Sequence, residues 1–174
     1  MLPTEIRPAD SEYAEFYRTY VARVPDGDIL KTLGEQVEAT CALVEGAGEA
    51  KAGHRYAPGK WTVREVIGHL SDAERVFAYR AMRFARADET ALPGFDETEY
   101  VPAGEFEKRS LASVIDEFRA VRAATVALYN GLPAEAWSRS GPANRNPVSV
   151  RALVWIAAGH ELHHRALLEE RYFV

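Results

Sequence analysis

Residues 61–77 read WTVREVIGHLSDAERVF and contain the signals that start and orient a long helix. Thr62 is a favourable N-cap residue, and Glu65 follows three positions later, as in a capping box. Trp61 and Val66 occupy the two positions of a hydrophobic staple across that cap. Apolar side chains then recur at helical spacing, which predicts one buried face. Its members are Val66, Ile67, Leu70, Ala73, Phe77, Ala81 and Phe84.

Three further segments show the same periodicity and predict helices of similar length. In each of them apolar side chains recur every three or four residues. Together they predict an all-α protein, a four-helix bundle with a long crossover that forms one domain over residues 1–174. A short helix is expected ahead of the bundle. The predicted helices cover residues 10–22, 29–44, 62–87, 110–130 and 150–170, and Ser149 caps the last of them.

Two connections between the predicted helices differ in character. Residues 88–107 hold two prolines, two glycines and several acidic side chains, and a connection of this length is unusual in a compact domain. It indicates a crossover or a lip over a site, with Phe95 and Tyr100 as candidate wall residues. Residues 138–147 are expected to form a loop, because no stretch of the chain shows the alternating pattern of a strand.

The composition excludes several classes of function. The net charge of −5 argues against general nucleic-acid binding, which normally needs a basic face. No apolar stretch is long enough for a membrane span, and residues 1–10 lack the pattern of a signal peptide. Cys41 is the one cysteine, so an intrachain disulfide is impossible. We therefore expect a cytoplasmic protein whose partner is a small-molecule substrate, with a homodimer as an open alternative to a monomer.

The histidines are placed where a metal site would need them. His160 and His164 interrupt the apolar row of the last predicted helix, and residues four apart share one helical face. His69 interrupts the inward face of the helix that Thr62 opens. Burying an imidazole without a partner costs free energy. One divalent metal bound by all three histidines would explain why they occupy inward positions. The alternatives are a hydrogen-bonded core role for His69 alone, and exposed or supporting positions for the remaining two, His54 and His163.

The same segment also satisfies a protease signature. Residues 160–164 read HELHH, which matches the H-E-x-x-H pattern of zinc proteases, where the glutamate is the general base. Only ten residues follow His164, and none of them offers a third histidine ligand. Glu161 lies about 100° around the helix from His160, so we expect it on the bundle surface. The match is interpreted as coincidental.

Three stretches resemble one known family. Residues 58–74 (PGKWTVREVIGHLSDAE) and 158–164 (AGHELHH) resemble the second-helix and last-helix motifs of the DinB/YfiT-like superfamily of proposed metalloenzymes. Residues 92–96 (LPGFD) are similar to its loop after the second helix. The resemblance implies a four-helix bundle with a long crossover and a zinc or nickel ion on His69, His160 and His164. It implies either a hydrolase or a transferase or isomerase that uses a bacterial thiol of the bacillithiol or mycothiol type.

Two functions from different classes remain open at this point. Three protein ligands leave a coordination position free, which is typical of a catalytic metal site. Asp72 is the candidate catalytic residue, because it lies one turn beyond His69, whereas Glu74 is expected on an exposed face. The alternative is a non-catalytic bundle in which the metal has a structural or stress-related role. Aromatic side chains could line a pocket or belong to the core, namely Tyr79, Tyr100 and Trp155.

Overall fold

The computed structural model describes residues 2–174 and is predominantly helical. Four long helices pack side by side, and short helices, 3-10 turns and one hairpin connect them. In chain order the elements are α1 (Arg18–Val21), α2 (Ile29–Ala47), α3 (Glu49–Ala52), α4 (Val63–Ala85), α5 (Glu97–Ala103), α6 (Leu111–Asn130), β1 (Ser140–Ala143), β2 (Asn146–Ser149) and α7 (Val150–Leu167). The predicted four-helix bundle is confirmed. No helix in this part of the chain is both long and apolar enough to cross a lipid bilayer.

The start of α4 confirms the predicted capping box. The Thr62 side chain accepts a hydrogen bond from the Glu65 backbone N–H at 3.2 Å, and Glu65 accepts one from the Thr62 N–H at 2.7 Å. Trp61 packs against the apolar cluster that includes Val66, as a hydrophobic staple requires. The helix ends at Ala85, and Ala87 follows with a left-handed φ of 59°. These contacts fix where α4 begins and hence which way His69 points.

The α4 helix lies at the centre of the bundle, against both α6 and α7. Its buried face separates two apolar clusters. One cluster joins its second half to α7 and the N-terminal segment, and the other joins its first half to α2 and α6. Their largest fully buried side chains include Trp155, Tyr129, Phe84, Phe118, Ile67 and Leu153. The α4 helix therefore contributes to both clusters of the bundle core.

The structure corrects three of the predicted elements. The leading segment is not one helix but two 3-10 turns, Asp10–Glu12 and Glu15–Tyr17, followed by α1. The residues predicted as a loop, 138–147, form most of the antiparallel hairpin β1–β2, whose turn residues Asn144 and Arg145 have φ values of 48° and 65°. Two prolines in these strands obscured the strand signal, since proline is rare in strands. The last helix changes to a π-helical turn, Leu168–Tyr172, before the chain ends.

The connection after α4 is partly ordered rather than irregular. It contains α5 and a 3-10 turn at Phe106–Lys108. Its first part is fastened to the hairpin, because the Leu92 N–H donates to the Pro142 carbonyl at 2.9 Å and the Asn144 N–H donates to the Leu92 carbonyl at 3.0 Å. This attachment holds Leu92 beside the hairpin, at the end of the bundle where α4 ends and α7 begins.

Candidate metal centre

Three histidine side chains converge between α4 and α7. The Nε2 atom of His160 lies 3.0 Å from Nε2 of His69 and 3.1 Å from Nε2 of His164. One ring nitrogen of each residue lies within 4.8 Å of the others. His69, His160 and His164 are 5%, 7% and 9% exposed. The structure thus brings together the three residues that were predicted as ligands.

Hydrogen bonding alone does not account for this arrangement. A neutral imidazole nitrogen is either a donor or an acceptor, so Nε2 of His160 has one hydrogen or one lone pair to share between two neighbours. Two nitrogen atoms that bind one ion at about 2.0–2.1 Å lie roughly 3 Å from each other, which matches both separations. The donor set therefore fits a divalent metal that prefers nitrogen ligands.

Burial keeps the three rings in the form that binds metals. Desolvation lowers the pKa of His69 from 6.5 to about 4. The pKa values of His160 and His164 lie well below the ordinary value, first because of burial and then because the neighbouring histidines disfavour a further positive charge. Metal ligation requires the neutral imidazole, so the protein environment favours the ligand form.

Aromatic side chains surround the cluster. The Trp61 ring lies over His69, with centroids 4.7 Å apart, and stacks near His164 at 6.4 Å. The edge of Tyr20 meets His160 at 5.4 Å, and Phe77 contacts the same ring at 6.1 Å. These contacts limit how far each imidazole can rotate. They also give the cluster an aromatic rim.

The cluster opens into a cavity of about 390 Å³. Its walls come from the N-terminal segment, α4, α7 and the connection after α4, which contributes Phe95 and Glu97. Of the two candidate wall residues predicted in this connection, Phe95 lines the cavity and Tyr100 does not, and the role of the connection as a lip stays a prediction. His163 and Arg80 also face the cavity. A small molecule could enter here and reach the three histidines.

A glycine allows the N-terminal segment to form this wall. A Cβ atom at Gly159 would overlap the backbone carbonyl of Tyr20. The absence of a side chain therefore lets α1 approach α7 directly beside His160. Sequence periodicity gave no sign of this contact, and the aromatic wall residues Tyr20 and Trp61 were not predicted.

The family model of the DinB superfamily matches residues 32–168 of the chain. This chain belongs to the DinB superfamily. The match includes both helices that carry the three histidines. No curated protein matches this DinB-superfamily sequence.

Solved structures with low sequence identity share the fold. YfiT from Bacillus subtilis, described as a probable metal-dependent hydrolase with an unusual four-helix bundle topology, is 19% identical, with a TM-score of 0.69 over 95% of this chain and 91% of that one. The DinB-like protein YjoA from Bacillus subtilis is 18% identical, with a TM-score of 0.60 over 82% of this chain and 87% of that one. A mycothiol-dependent maleylpyruvate isomerase is 14% identical, with a TM-score of 0.66 over 84% of this chain and 61% of that one.

Two expectations about acidic residues need correction, and both residues lie on the sides of α4 and α7 that face away from the three histidines. Glu161 does not lie on the surface, and neither does Glu74, because both are buried against Arg122 of α6. Arg122 donates to Glu74 through Nε and Nη2 at 2.8 Å each, and to Glu161 through Nη2 at 2.7 Å. Thr40 of α2 donates to Glu161 at 2.6 Å. We call Glu74, Arg122 and Glu161 the Arg122 cluster. Glu161 thus faces away from the three histidines, as expected if the protease signature is coincidental.

The other predicted residues lie outside the three-histidine cluster. Asp72 pairs with Arg75 at 3.4 Å, and the pKa of its carboxyl group is raised mainly by burial. None of its hydrogen bonds within residues 2–174 reaches the three histidines, and its catalytic role stays a prediction. His54 is exposed, whereas His163 is half-buried beside the cavity. The aromatic candidates are absent from the cavity wall, since Tyr79 and Tyr100 are exposed and Trp155 is fully buried.

Proposed function

We propose that this chain is a metal-dependent enzyme that acts on a small molecule, and that His69, His160 and His164 hold a divalent ion. The observation that carries the proposal is the convergence of three buried Nε2 atoms, 3.0 and 3.1 Å apart, at the inner end of an open cavity. Three imidazole donors favour zinc or nickel over magnesium or calcium, which prefer oxygen ligands.

The surroundings of the site support catalysis over a structural role. Structural zinc sites are closed by four protein ligands, whereas catalytic sites keep a position for water or substrate. Within residues 2–174, the metal-binding group comprises three histidines and no fourth acidic, cysteine or histidine ligand. The adjoining cavity gives a small molecule access to the remaining position.

The chain's own residues would contribute binding, orientation and proton transfer. A bound divalent ion supplies Lewis-acid chemistry, acidifying water or a thiol that binds beside the substrate. The aromatic rim of Trp61, Tyr20 and Phe77 holds the ligand rings and limits the access of bulk water. His163 faces the cavity next to His164 and is the imidazole placed to accept a proton there.

Hydrolysis is the reaction we place first. YfiT, which aligns with nearly the whole chain, is described as a probable metal-dependent hydrolase. The mycothiol-dependent isomerase has more than a third of its length without a counterpart here. Transfer to a low-molecular-weight thiol is therefore the second arm of the assay. Catalysis by Asp72 would require a contact with substrate, and an Asp72→Asn variant in the same assay tests that role.

Metal analysis of the site variants tests the proposal. Purified protein should contain about one zinc or nickel ion per chain. We expect His69→Ala, His160→Ala and His164→Ala each to lose the metal, while the matched controls His54→Ala and His163→Ala retain it. The loaded protein is then screened with ester, amide and thiol-conjugation substrates. Full metal retention in His160→Ala would contradict the assigned site, and inactivity of the loaded protein toward every class would contradict the assigned chemistry.

A further inference from the structure

Arg80 shares a face of α4 with His69 and faces the same cavity. It follows His69 by eleven residues, or about three helical turns, and Ala73 and Phe77 lie between them on the cavity wall. Arg80 is 3% exposed, so its guanidinium is almost fully removed from bulk water. The side chain thus places a positive charge along the inner wall of the candidate site.

This buried charge has no acidic partner in the described part of the chain. Arg80 donates a hydrogen bond from Nη2 to the Pro93 carbonyl, at 2.8 Å. Its charge, together with a hydrogen bond to the Tyr17 hydroxyl, offsets part of the rise that burial causes in the pKa of Tyr17. Arg122 is equally buried but pairs with two carboxylates. Leaving a buried cation without a counter-ion is strongly unfavourable, so a bound anion would stabilise Arg80.

The cavity wall contains one carboxylate, that of Glu97, and this group does not neutralise Arg80. Glu97 belongs to the wall but is exposed, at the start of α5, and it forms no ion pair with Arg80. Its negative charge disfavours anions at the position of Glu97. Arg80 is the one arginine or lysine in the described wall of this cavity. Asn144 adds an amide to the same wall. A single guanidinium matches a singly charged carboxylate, with two parallel hydrogen bonds.

We propose that Arg80 binds a carboxylate group of the substrate whose reactive end lies at the three histidines. This inference rests on the proposed function and specifies its substrate class. The Cα atoms of His69 and Arg80 are about 16 Å apart along the helix axis, and both residues line the same cavity. The substrate is therefore an elongated small molecule with its carboxylate several bonds from the reacting group.

Two simple thiols test whether Arg80 recognises a carboxylate, separately from metal binding. In 6-mercaptohexanoate and 6-mercaptohexanol the thiol end is the same and only the distal group differs, carboxylate against hydroxyl. Calorimetric titration of the zinc-loaded full chain should show about tenfold tighter binding of 6-mercaptohexanoate, as expected for a charge-assisted hydrogen bond. Arg80→Met should reduce this preference to within about twofold, and Arg80→Lys should keep part of it.

Arg83→Met is the matched control, because Arg83 lies on the same helix but pairs with Asp88 outside the cavity. This variant should keep the wild-type preference. Equal binding of both thiols to the wild-type protein would overturn the proposal even if Arg80→Met does not fold. A preference that persists in a folded Arg80→Met variant would also overturn it, and would reduce Arg80 to a support for the Pro93 carbonyl.

Failure of the metal site is distinguishable from failure at Arg80. If the protein binds no metal, the proposed function fails, and carboxylate binding by Arg80 is then tested on the metal-free protein. Hexanoate and hexanol are compared on the metal-free protein by saturation-transfer NMR. Stronger hexanoate signals that disappear in Arg80→Met would support the carboxylate site, whereas equal signals for both probes would contradict it.

Discussion

Replacing Arg122 with methionine removes the one cation that contacts two buried carboxylates inside the bundle. Its guanidinium joins Glu74 of α4 and Glu161 of α7, and its Nη1 donates to the Leu33 carbonyl of α2 at 2.7 Å. Burial alone would lower the pKa of Arg122, but the charges of Glu161 and Glu74 raise it above its ordinary value, so the group stays charged. One side chain of α6 therefore connects all four long helices.

The expected magnitude follows from the burial of all three partners. The side chains of Arg122, Glu74 and Glu161 are 2%, 4% and 2% exposed. Removing one member of a buried ion pair usually costs about 3–5 kcal/mol, because the remaining charge is left without compensation. For a domain of this size, each kcal/mol shifts the melting temperature by about 2–4 °C. We expect Arg122→Met to melt roughly 6–20 °C below the wild-type protein.

Thermal and urea unfolding followed by circular dichroism measure this change. The matched control is Arg119→Met on the same helix, whose ion pairs with Glu38 and Glu45 are at the surface and contribute about 0–1 kcal/mol. The triple variant Glu74→Leu, Arg122→Met, Glu161→Leu should recover much of the lost stability, since none of the three charges of the Arg122 cluster then remains. The reasoning is refuted if Arg122→Met unfolds at the same temperature and urea concentration as Arg119→Met.

Three further perturbations address the site. The metal-free protein should lose stability as the pH falls from 6.5 to about 4, because His69 in the unfolded chain binds a proton that the folded protein, with its lowered His69 pKa, does not bind. Urea titrations should show that the free energy of unfolding depends less steeply on pH in His69→Gln. An unchanged pH dependence would contradict the assignment to His69. Gly159→Ala should cost about 1–3 kcal/mol, because the new methyl overlaps the Tyr20 carbonyl, and unfolding equal to wild type would disprove that close contact. Phe95→Ala should retain the metal but alter kcat/KM toward a substrate found in the screen, since Phe95 lines the cavity, and unchanged kinetics would assign the connection a purely structural role.

Features with local causes could be predicted from the sequence. The capping box of Thr62 and Glu65 lies within four residues, and the apolar rows that define the long helices depend only on helical spacing. The same spacing placed His160 and His164 on one face, and the structure shows both rings buried beside His69. In each case the deciding residues are neighbours in the chain.

Features that depend on distant partners could not be predicted. Glu74 and Glu161 look like surface residues, because acidic side chains are rarely buried without a partner. Their partner Arg122 is separated from them by 48 and 39 residues, and nothing near either glutamate indicates it. The same holds for the Tyr20 wall, which depends on the missing side chain of Gly159 in another helix. Only the assembled bundle shows these pairs.

The Arg122 cluster gives the glutamate of the HELHH segment a role other than that of a protease base. Glu161 follows His160 directly, and Glu74 follows His69 by five residues, which turns each acid about 100–140° away from its histidine. The two helices that carry the proposed ligands are therefore the two that Arg122 joins on their other faces. The Arg122 cluster thus joins α4 and α7 on faces that point away from the three histidines, and the pattern H-E-x-x-H here combines two proposed ligands with one helix-joining residue.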